Sequence, residues 1–161
     1  MHTVTFADLP DLEGATLGSG DWHEISQDQV DRFADATDDH QWIHVDPARA
    51  STGPFGRTIA HGYLTLALIP ALLDDLLRVD GADRAINYGL DKVRFPAPAP
   101  VGSRVRLTAS VENVDSVPAG FQVAIAATVE CDAAPKPVCV ARALYRFIGP
   151  GDPVGLSTPP G

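Results

Sequence analysis

The chain is poor in cysteine, in basic residues and in long apolar runs, and each shortage excludes a class of protein. Cys131 and Cys139 are the only cysteines in 161 residues, so we expect two reduced thiols rather than a disulfide scaffold, and their spacing matches no metal motif. The net charge of −9 argues against nucleic acid or an anionic membrane as a partner, because neither attracts an acidic surface. The longest apolar stretch, Tyr63 to Leu73, contains Pro70 and is too short to cross a bilayer.

The start of the chain carries neither the basic region nor the apolar run of an export signal, so we expect a cytoplasmic protein. Hydrophobic residues make up 45% of the chain and charged residues 20%, which is typical of a globular protein. This length predicts a single domain over residues 1–161 with a sizeable core. Glycine and proline accumulate at about residues 1–20 and 149–161, so we expect loose ends there.

The first half of the chain has the pattern of mixed short elements. Ser26 is followed three residues later by Gln29, a capping-box pattern that predicts a helix running to about Thr37. Residues 21–25 have the composition of a short strand, and residues 47–50 begin with a proline, which is typical of a helical turn. A polar segment, residues 38–46, lies between the predicted helix and this turn.

A long apolar helix and a series of strands are predicted for the remainder. From about His61 to Val79, leucines and alanines recur on most helical faces, which predicts a buried helix that Pro70 bends. After Gly81 the apolar residues alternate with polar ones, as in antiparallel strands; the predicted strands are 86–95, 105–111, 123–129 and 138–148. The sequence therefore predicts an α+β fold in which a curved antiparallel sheet wraps around one long central helix.

Two residues of this pattern could perform acid–base chemistry, and a third could stabilise the charge that develops. Asp39 and His44 lie five positions apart in the polar segment, and Gly62 lies at the start of the long helix. A carboxylate and a neutral imidazole can move protons near neutral pH, and a glycine N–H at a helix start can stabilise negative charge on an oxygen. Together they supply what is needed to add water next to a carbonyl, which indicates an enzyme.

The wider context of these residues resembles a known family. The segment Asp39-x-Gln-x-Ile-His44-x-Asp-Pro resembles the (R)-specific enoyl-CoA hydratase motif of the MaoC-like dehydratases, and residues 60–62 and 93–98 resemble two further family blocks. The spelling Asp-His-Gln-Trp-Ile-His is similar to the nodulation-protein-N-like branch. The resemblance implies a hot-dog fold, in which an antiparallel sheet curls around a helix, and it implies a homodimer.

The resemblance also implies roles for individual residues of the polar segment. Asp39 and His44 match the catalytic pair, and Gly62 matches the glycine whose N–H receives the thioester oxygen. Gln41 stands where many hydratases have asparagine, and it could hold the loop or the pair in place. Trp42 replaces the usual proline, so loop rigidity must come from packing of the indole ring.

Asp38 stands where glycine is common in the family, and it would raise the pKa of Asp39 if both carboxylates approached the site. Coenzyme A, as part of the substrate, needs cations for its phosphates, and no separate cofactor or metal is implied. The candidate cations are Arg57, Lys92, Arg94 and Arg104. His61 could shape the mouth of the site or could have a structural role instead. The residues expected to bind substrate are Gln41, Trp42, Arg57, His61 and Arg94.

The expected activity is hydration of a 2-enoyl-CoA, or the reverse dehydration of a 3-hydroxyacyl-CoA. Two alternatives remain open at the level of sequence. One is an acyl-CoA thioesterase of the same fold, although such enzymes generally lack the Asp-x4-His block. The other is a non-catalytic acyl-thioester-binding subunit, although such subunits often lack the Asp–His pair that is intact here.

Overall fold

Helices occupy the first half of the chain and long strands the second, in agreement with the predicted α+β class. The computed structural model describes residues 1–151. The helices are α1 Gln27–Thr37, α2 Trp42–Val45, α3 Pro47–Ala50, α4 Gly62–Ala67 and α5 Ile69–Leu73, with a 3-10 helix at Phe6–Leu12. The strands are β1 His2–Thr5, β2 Thr16–Ser19, β3 His23–Glu24, β4 Leu77–Asp80, β5 Arg84–Arg94, β6 Arg104–Val117, β7 Gly120–Cys131 and β8 Cys139–Ile148. Within this range, no helix is long and apolar enough to cross a membrane.

The main sheet is antiparallel, with the strand order β2-β6-β7-β8-β5, and β3 also pairs with β6. Its register shifts between Val111 and Asn113 of β6 and at two places in β5. Such bulges bend a strand and increase its twist, so the sheet curves. The helix α4 lies against β8 and α5 lies against β6, on the apolar face of the sheet.

The alternation predicted from the sequence places one face of each long strand in the core. On β6 the side chains of Val105, Leu107 and Val111 are buried, and they pack in one cluster with Ile69 and Leu72 of α5. Each fully buried aliphatic side chain contributes roughly 1.5–3 kcal/mol relative to exposure. The two cysteines are free and buried, as expected from the sequence.

The single long helix predicted from His61 to Val79 is wrong. The structure contains two short helices, α4 and α5, separated at Leu68 and followed by strand β4. Pro70 has no N–H to donate to the preceding turn, so the regular helical ladder is interrupted there. Beyond α5, Leu77 and Val79 turn inward in a strand because β1 lies alongside and pairs with β4 in parallel.

The loose N-terminal end expected for residues 1–20 is also wrong. This segment contains β1, the 3-10 helix and β2, and the side chains of Leu9, Leu12 and Leu17 belong to the core. The glycines of this segment adopt a backbone conformation that other residues rarely adopt. Gly14 and Gly18 have φ of 76° and 91°, in the left-handed region that favours glycine. A loose end was also predicted for residues 149–161, but the part of it beyond Gly151 lies outside the described residues. The single domain stays a prediction.

The local signals of the first half are recovered with small changes in length. Ser26 caps α1, and its hydroxyl accepts a hydrogen bond from the Gln29 N–H at 3.2 Å. The turn at residues 47–50 is α3, whose first N–H groups are capped by Asp46. The strand predicted for residues 21–25 is reduced to the two residues of β3, and α2 was not predicted.

Candidate active site

A reversal of the chain after α1 places Asp39 and His44 close together. Asp38 ends α1 in the left-handed conformation, with φ of 57°. This conformation is favoured by glycine and tolerated by aspartate, which explains in physical terms why glycine is common at this position. The segment then enters α2, which carries His44 on its buried side.

The imidazole of His44 is fixed by the chain segment that precedes α4. The Ile59 N–H donates to the Ile43 carbonyl at 3.0 Å, and His44 Nδ1 lies 2.6 Å from the Ile59 carbonyl oxygen. Because a carbonyl only accepts hydrogen bonds, Nδ1 carries the proton and Nε2 keeps a free lone pair. His44 is therefore held as a neutral tautomer with Nε2 ready to accept a proton.

The surroundings of His44 favour this neutral form. Burial lowers the pKa of the imidazole, and the nearby His61 lowers it further. The Ile59 carbonyl and the Asp39 carboxylate act in the opposite direction, but the net pKa lies below its ordinary value. His44 is consequently unprotonated at neutral pH, as a general base must be.

The carboxylate of Asp39 lies beside this imidazole and remains open to solvent. Its side chain is 51% exposed, and Oδ2 lies 4.0 Å from His61 Nε2. One carboxylate oxygen of Asp39 and one nitrogen each of His44 and His61 all lie within 4.8 Å of one another. A single water molecule can contact both Asp39 and His44 at this separation.

His61 lies beneath the pair instead of at the mouth of the site. Its side chain is 2% exposed, which contradicts the expectation that it shapes the entrance. Its Nε2 donates to the main-chain carbonyl of Asp39 at 2.9 Å, and its ring stacks on that of His44 with centroids 3.8 Å apart. The His61 Nδ1 atom is buried and has no hydrogen-bond partner among residues 1–151.

The cluster of Asp39, His44 and His61 contains three groups of the kind that bind metal ions, which the sequence spacing did not indicate. The two imidazole planes are inclined by only 24°, so their in-plane lone pairs run nearly parallel instead of converging on one ion. One nitrogen of each ring is also hydrogen-bonded to a carbonyl. The donor set therefore fits a tetrahedral metal poorly, and the absence of a metal site stays a prediction.

A cavity of about 340 Å³ opens next to His44 and Gly62. Its walls are mainly apolar and include Phe55, Ile59, Phe95, Pro96, Pro98 and Val138. No partner for the Gly62 N–H is found in the described part of the chain. A Cβ atom at Gly62 would lie 3.0 Å from the Phe95 ring, so glycine permits this close approach without movement of the ring.

The bracing role expected of Gln41 belongs to Gln27, which the sequence did not single out. Gln27 Nε2 donates to the His44 carbonyl at 2.8 Å, and its Oε1 accepts from the Thr58 hydroxyl at 2.6 Å. Gln41 is exposed, and within residues 1–151 its side chain makes no hydrogen bond. A glutamine in the first turn of a helix carries no sequence signal for such a role.

The indole ring of Trp42 packs against its own loop, as expected for a residue that replaces a rigid proline. Arg49 lies over the indole ring at 4.3 Å, and a Cβ atom at Gly53 would lie 2.9 Å from that ring. The indole therefore packs directly on the loop that follows α3 and restrains it. Contact of Gln41 and Trp42 with substrate stays a prediction.

The candidate cations differ in their surroundings. Arg57 and Arg94 are exposed and lie within two residues of Phe55 and Phe95, which line the cavity. Lys92 is exposed further along β5. Arg104 pairs with Asp132 at 2.9 Å at the start of β6, so its charge is already compensated. Exposure and closeness in sequence to cavity-lining residues leave Arg57 and Arg94 as the candidate cations.

Comparison with known proteins identifies the family of the chain. A family model described as MaoC like domain matches residues 10–132. The chain is 54% identical over 143 residues to 3-hydroxyacyl-thioester dehydratase Z of Mycobacterium tuberculosis strain H37Rv, covering 88% of this chain and 95% of that protein. It is 48% identical over 108 residues to nodulation protein N of Rhizobium leguminosarum bv. viciae, covering 66% and 67% respectively.

The solved structures extend the comparison to the fold. An unliganded R-hydratase of Pseudomonas aeruginosa matches with a TM-score of 0.70 at 27% identity, over 89% of this chain and 85% of that one. The family match, the relatives and the fold confirm the resemblance drawn from the Asp39–His44 block and from residues 60–62. The chain belongs to the MaoC-like dehydratase family, and it is an enzyme of the hydro-lyase type with the hot-dog fold.

Proposed function

We propose that the protein is an (R)-specific 2-enoyl-CoA hydratase, which adds water across the trans-2 double bond of an acyl thioester and catalyses the reverse dehydration. The observation that carries the proposal is the state of His44, whose Nδ1 is engaged by the Ile59 carbonyl while Nε2 has no hydrogen-bond partner within residues 1–151. One nitrogen of the His44 ring lies within 4.8 Å of an Asp39 carboxylate oxygen, and His44 lines an apolar cavity. The relatives named as dehydratase and hydratase support the same chemistry.

The geometry supports a single-water mechanism. Asp39 and His44 hold one water molecule, and His44 Nε2 takes its proton as the oxygen attacks C3 of the enoyl group. The Asp39 carboxylate orients the water and stabilises the imidazolium that forms. The proton then passes from the imidazolium to C2, so that water is added across the double bond from one face and His44 returns to its neutral form.

Gly62 provides the third element of the proposed reaction. It lines the same cavity as His44, and its N–H is unpaired within residues 1–151. Negative charge develops on the thioester oxygen when water attacks, and a fixed N–H donor stabilises that charge. Since α4 contains only six residues, we assign this stabilisation to the direct hydrogen bond more than to the helix dipole. The two side chains and this N–H supply every step, so we propose no cofactor beyond the coenzyme A of the substrate.

The proposal is tested by mixing the purified protein with crotonyl-CoA and following the loss of enoyl-thioester absorbance. The expected result is rapid loss with formation of the (R)-3-hydroxy product and no free thiol. Release of coenzyme A from a saturated acyl-CoA would instead identify a thioesterase. Binding of acyl-CoA without turnover, also with longer enoyl chains, would identify a non-catalytic subunit and refute the proposal.

Arg57 and Arg94 are proposed to contact the phosphates of coenzyme A, because both are exposed beside cavity-lining aromatic residues. Replacing either with alanine is expected to raise KM for crotonyl-CoA about fivefold, since an exposed charge pair contributes up to about 1 kcal/mol, and to leave kcat unchanged. Crotonyl-N-acetylcysteamine, which has no phosphate, should show no such difference. The matched control is Arg104→Ala, whose guanidinium already pairs with Asp132. An unchanged KM in both variants would contradict the assignment.

We further propose that the protein forms a homodimer through the β5 side of the sheet. β5 is the end strand of the sheet, and among the described residues nothing pairs with its outer edge. Leu90 on this strand is 46% exposed, and Tyr63, which contacts Phe95, is 71% exposed. Unpaired edges and exposed apolar side chains favour association with another chain. Light scattering should give twice the chain mass of 17.0 kDa; a monomer mass would contradict a homodimer.

The cytoplasmic location expected from the sequence stays a prediction.

A further inference from the structure

We infer that His61 positions both members of the Asp39–His44 pair, and that its Nε2–H group is required for this role. The inference rests on the proposed hydratase function of the same site. It differs from the mouth position expected from the sequence, because the His61 side chain is 2% exposed. The His61 side chain contacts both Asp39 and His44.

The contact with Asp39 fixes the acidic residue through its main chain. Residues 39–41 belong to neither α1 nor α2, so no helical ladder holds them. Within the described residues, His61 is the only side chain that donates a hydrogen bond to Asp39, through Nε2 to the carbonyl oxygen at 2.9 Å. The position of the exposed carboxylate therefore depends on a buried donor.

The contact with His44 fixes the plane of the base. The rings of His44 and His61 stack with centroids 3.8 Å apart and planes inclined by 24°. Phe33 of α1 also packs against the His61 ring, with centroids 5.0 Å apart. The His61 carbonyl in turn accepts hydrogen bonds from Leu64 and Thr65 at the start of α4. His61 thus connects His44, Asp39 and the chain segment of Gly62.

The buried and unpaired Nδ1 atom separates this role from simple packing. Since Nε2 donates to a carbonyl, Nδ1 is a bare acceptor, and it has no partner in the described part of the chain. Burying an unpaired acceptor is unfavourable. A residue present only to fill space would be favoured as an apolar ring, so the donor function of Nε2 accounts for a histidine here.

Two substitutions separate the donor from the ring. His61→Phe keeps a ring for stacking and removes the N–H, whereas His61→Gln keeps an N–H near the position of Nε2 and removes the ring. We expect His61→Phe to lower kcat for crotonyl-CoA about 10- to 100-fold and to change KM less than about twofold, because misplaced catalytic groups slow the chemical step. His61→Gln should recover part of this loss.

The pH dependence gives a readout that loss of packing alone would not move. Two positive charges on the stacked rings repel each other, so His61, when it is protonated, is one of the groups that lower the pKa of His44, whereas the Ile59 carbonyl and Asp39 raise it and remain in the variant. In His61→Phe the pKa of His44 should rise, so the acid limb of kcat/KM should move to higher pH. The control is Phe33→Leu, which removes a ring contact with His61 but neither hydrogen bond, and which should leave the limb in place.

A measurement on the unaltered protein covers the case in which a variant does not fold. Nitrogen-15 NMR of the imidazoles should show opposite tautomers, with the proton on Nε2 in His61 and on Nδ1 in His44. A proton on Nδ1 of His61 would rule out the bond to Asp39 and overturn the inference. The inference would also be overturned if His61→Phe left both kcat and the acid limb of kcat/KM unaltered. A raised KM with an unaltered kcat in this variant would overturn it as well. Absence of hydration by the unaltered protein would refute the proposed function instead, and the tautomer measurement would still decide the position of His61.

Discussion

Replacing His44 with asparagine is expected to lower kcat for crotonyl-CoA about 10²–10⁴-fold without unfolding the protein. The amide nitrogen of asparagine can occupy the position of Nδ1 and keep the bond to the Ile59 carbonyl, so the substitution removes mainly the free Nε2. Asp39→Asn should have an effect of the same order, because it removes the charge that orients the water and stabilises the imidazolium. The measurements are initial rates and a thermal melting curve for each variant.

The double variant tests whether the two residues act as a unit. If they hold one water molecule, the Asp39→Asn/His44→Asn protein should be about as slow as the slower single variant, since groups of one catalytic unit are not additive. Asp38→Asn is the matched control, because it makes the same change one position earlier, where asparagine tolerates the left-handed conformation. Near-normal turnover in both single variants would refute the assignment of the pair.

Replacing Leu9 with alanine is expected to lower the free energy of unfolding by about 2–5 kcal/mol. Leu9 lies in the 3-10 helix, is 0% exposed and packs in the main core with Leu12. Removing its side chain leaves a cavity that the sheet and helices cannot fill without moving. Urea denaturation measures the change, through a lower midpoint at an unchanged slope.

Asp11 provides the comparison for this substitution, because it belongs to the same 3-10 helix and is exposed. Asp11→Ala should change the free energy of unfolding by less than about 0.5 kcal/mol, as is usual for surface positions. If Leu9→Ala were equally mild, the N-terminal segment would not be part of the folded core. The loose end expected from the sequence would then be the better description.

The elements that were predicted correctly depend on signals within a few residues. The cap at Ser26 and the alternation in β6 to β8 are local, because capping and strand alternation involve neighbouring positions. The break between α4 and α5 was only partly predicted, since Pro70 indicated a bend but not a change to strand at Leu77. That strand depends on β1, whose register pairs His2 with Leu77, and no local pattern encodes such a distant partner.

The candidate site shows the same division between local and distant information. Asp39, His44 and Gly62 could be selected because the family motif contains them. The bracing role of Gln27 could not be predicted, because its partners His44 and Thr58 lie 17 and 31 positions away. The burial of His61 could not be decided from sequence for the same reason, since its contacts with Phe33 and Asp39 exist only once the segments carrying these residues come together.

His44 and Asp39 are both anchored through main-chain oxygens, those of Ile59 and of Asp39 itself. No substitution at residue 59 can remove its carbonyl, and the Ile59 side chain separately forms part of the cavity wall. Catalytic geometry and cavity shape are thus encoded by different atoms of one residue. Exchange of isoleucine for a smaller or larger apolar residue at this position gives selection, natural or in the laboratory, a way to alter which acyl groups fit while the tautomer of His44 is preserved.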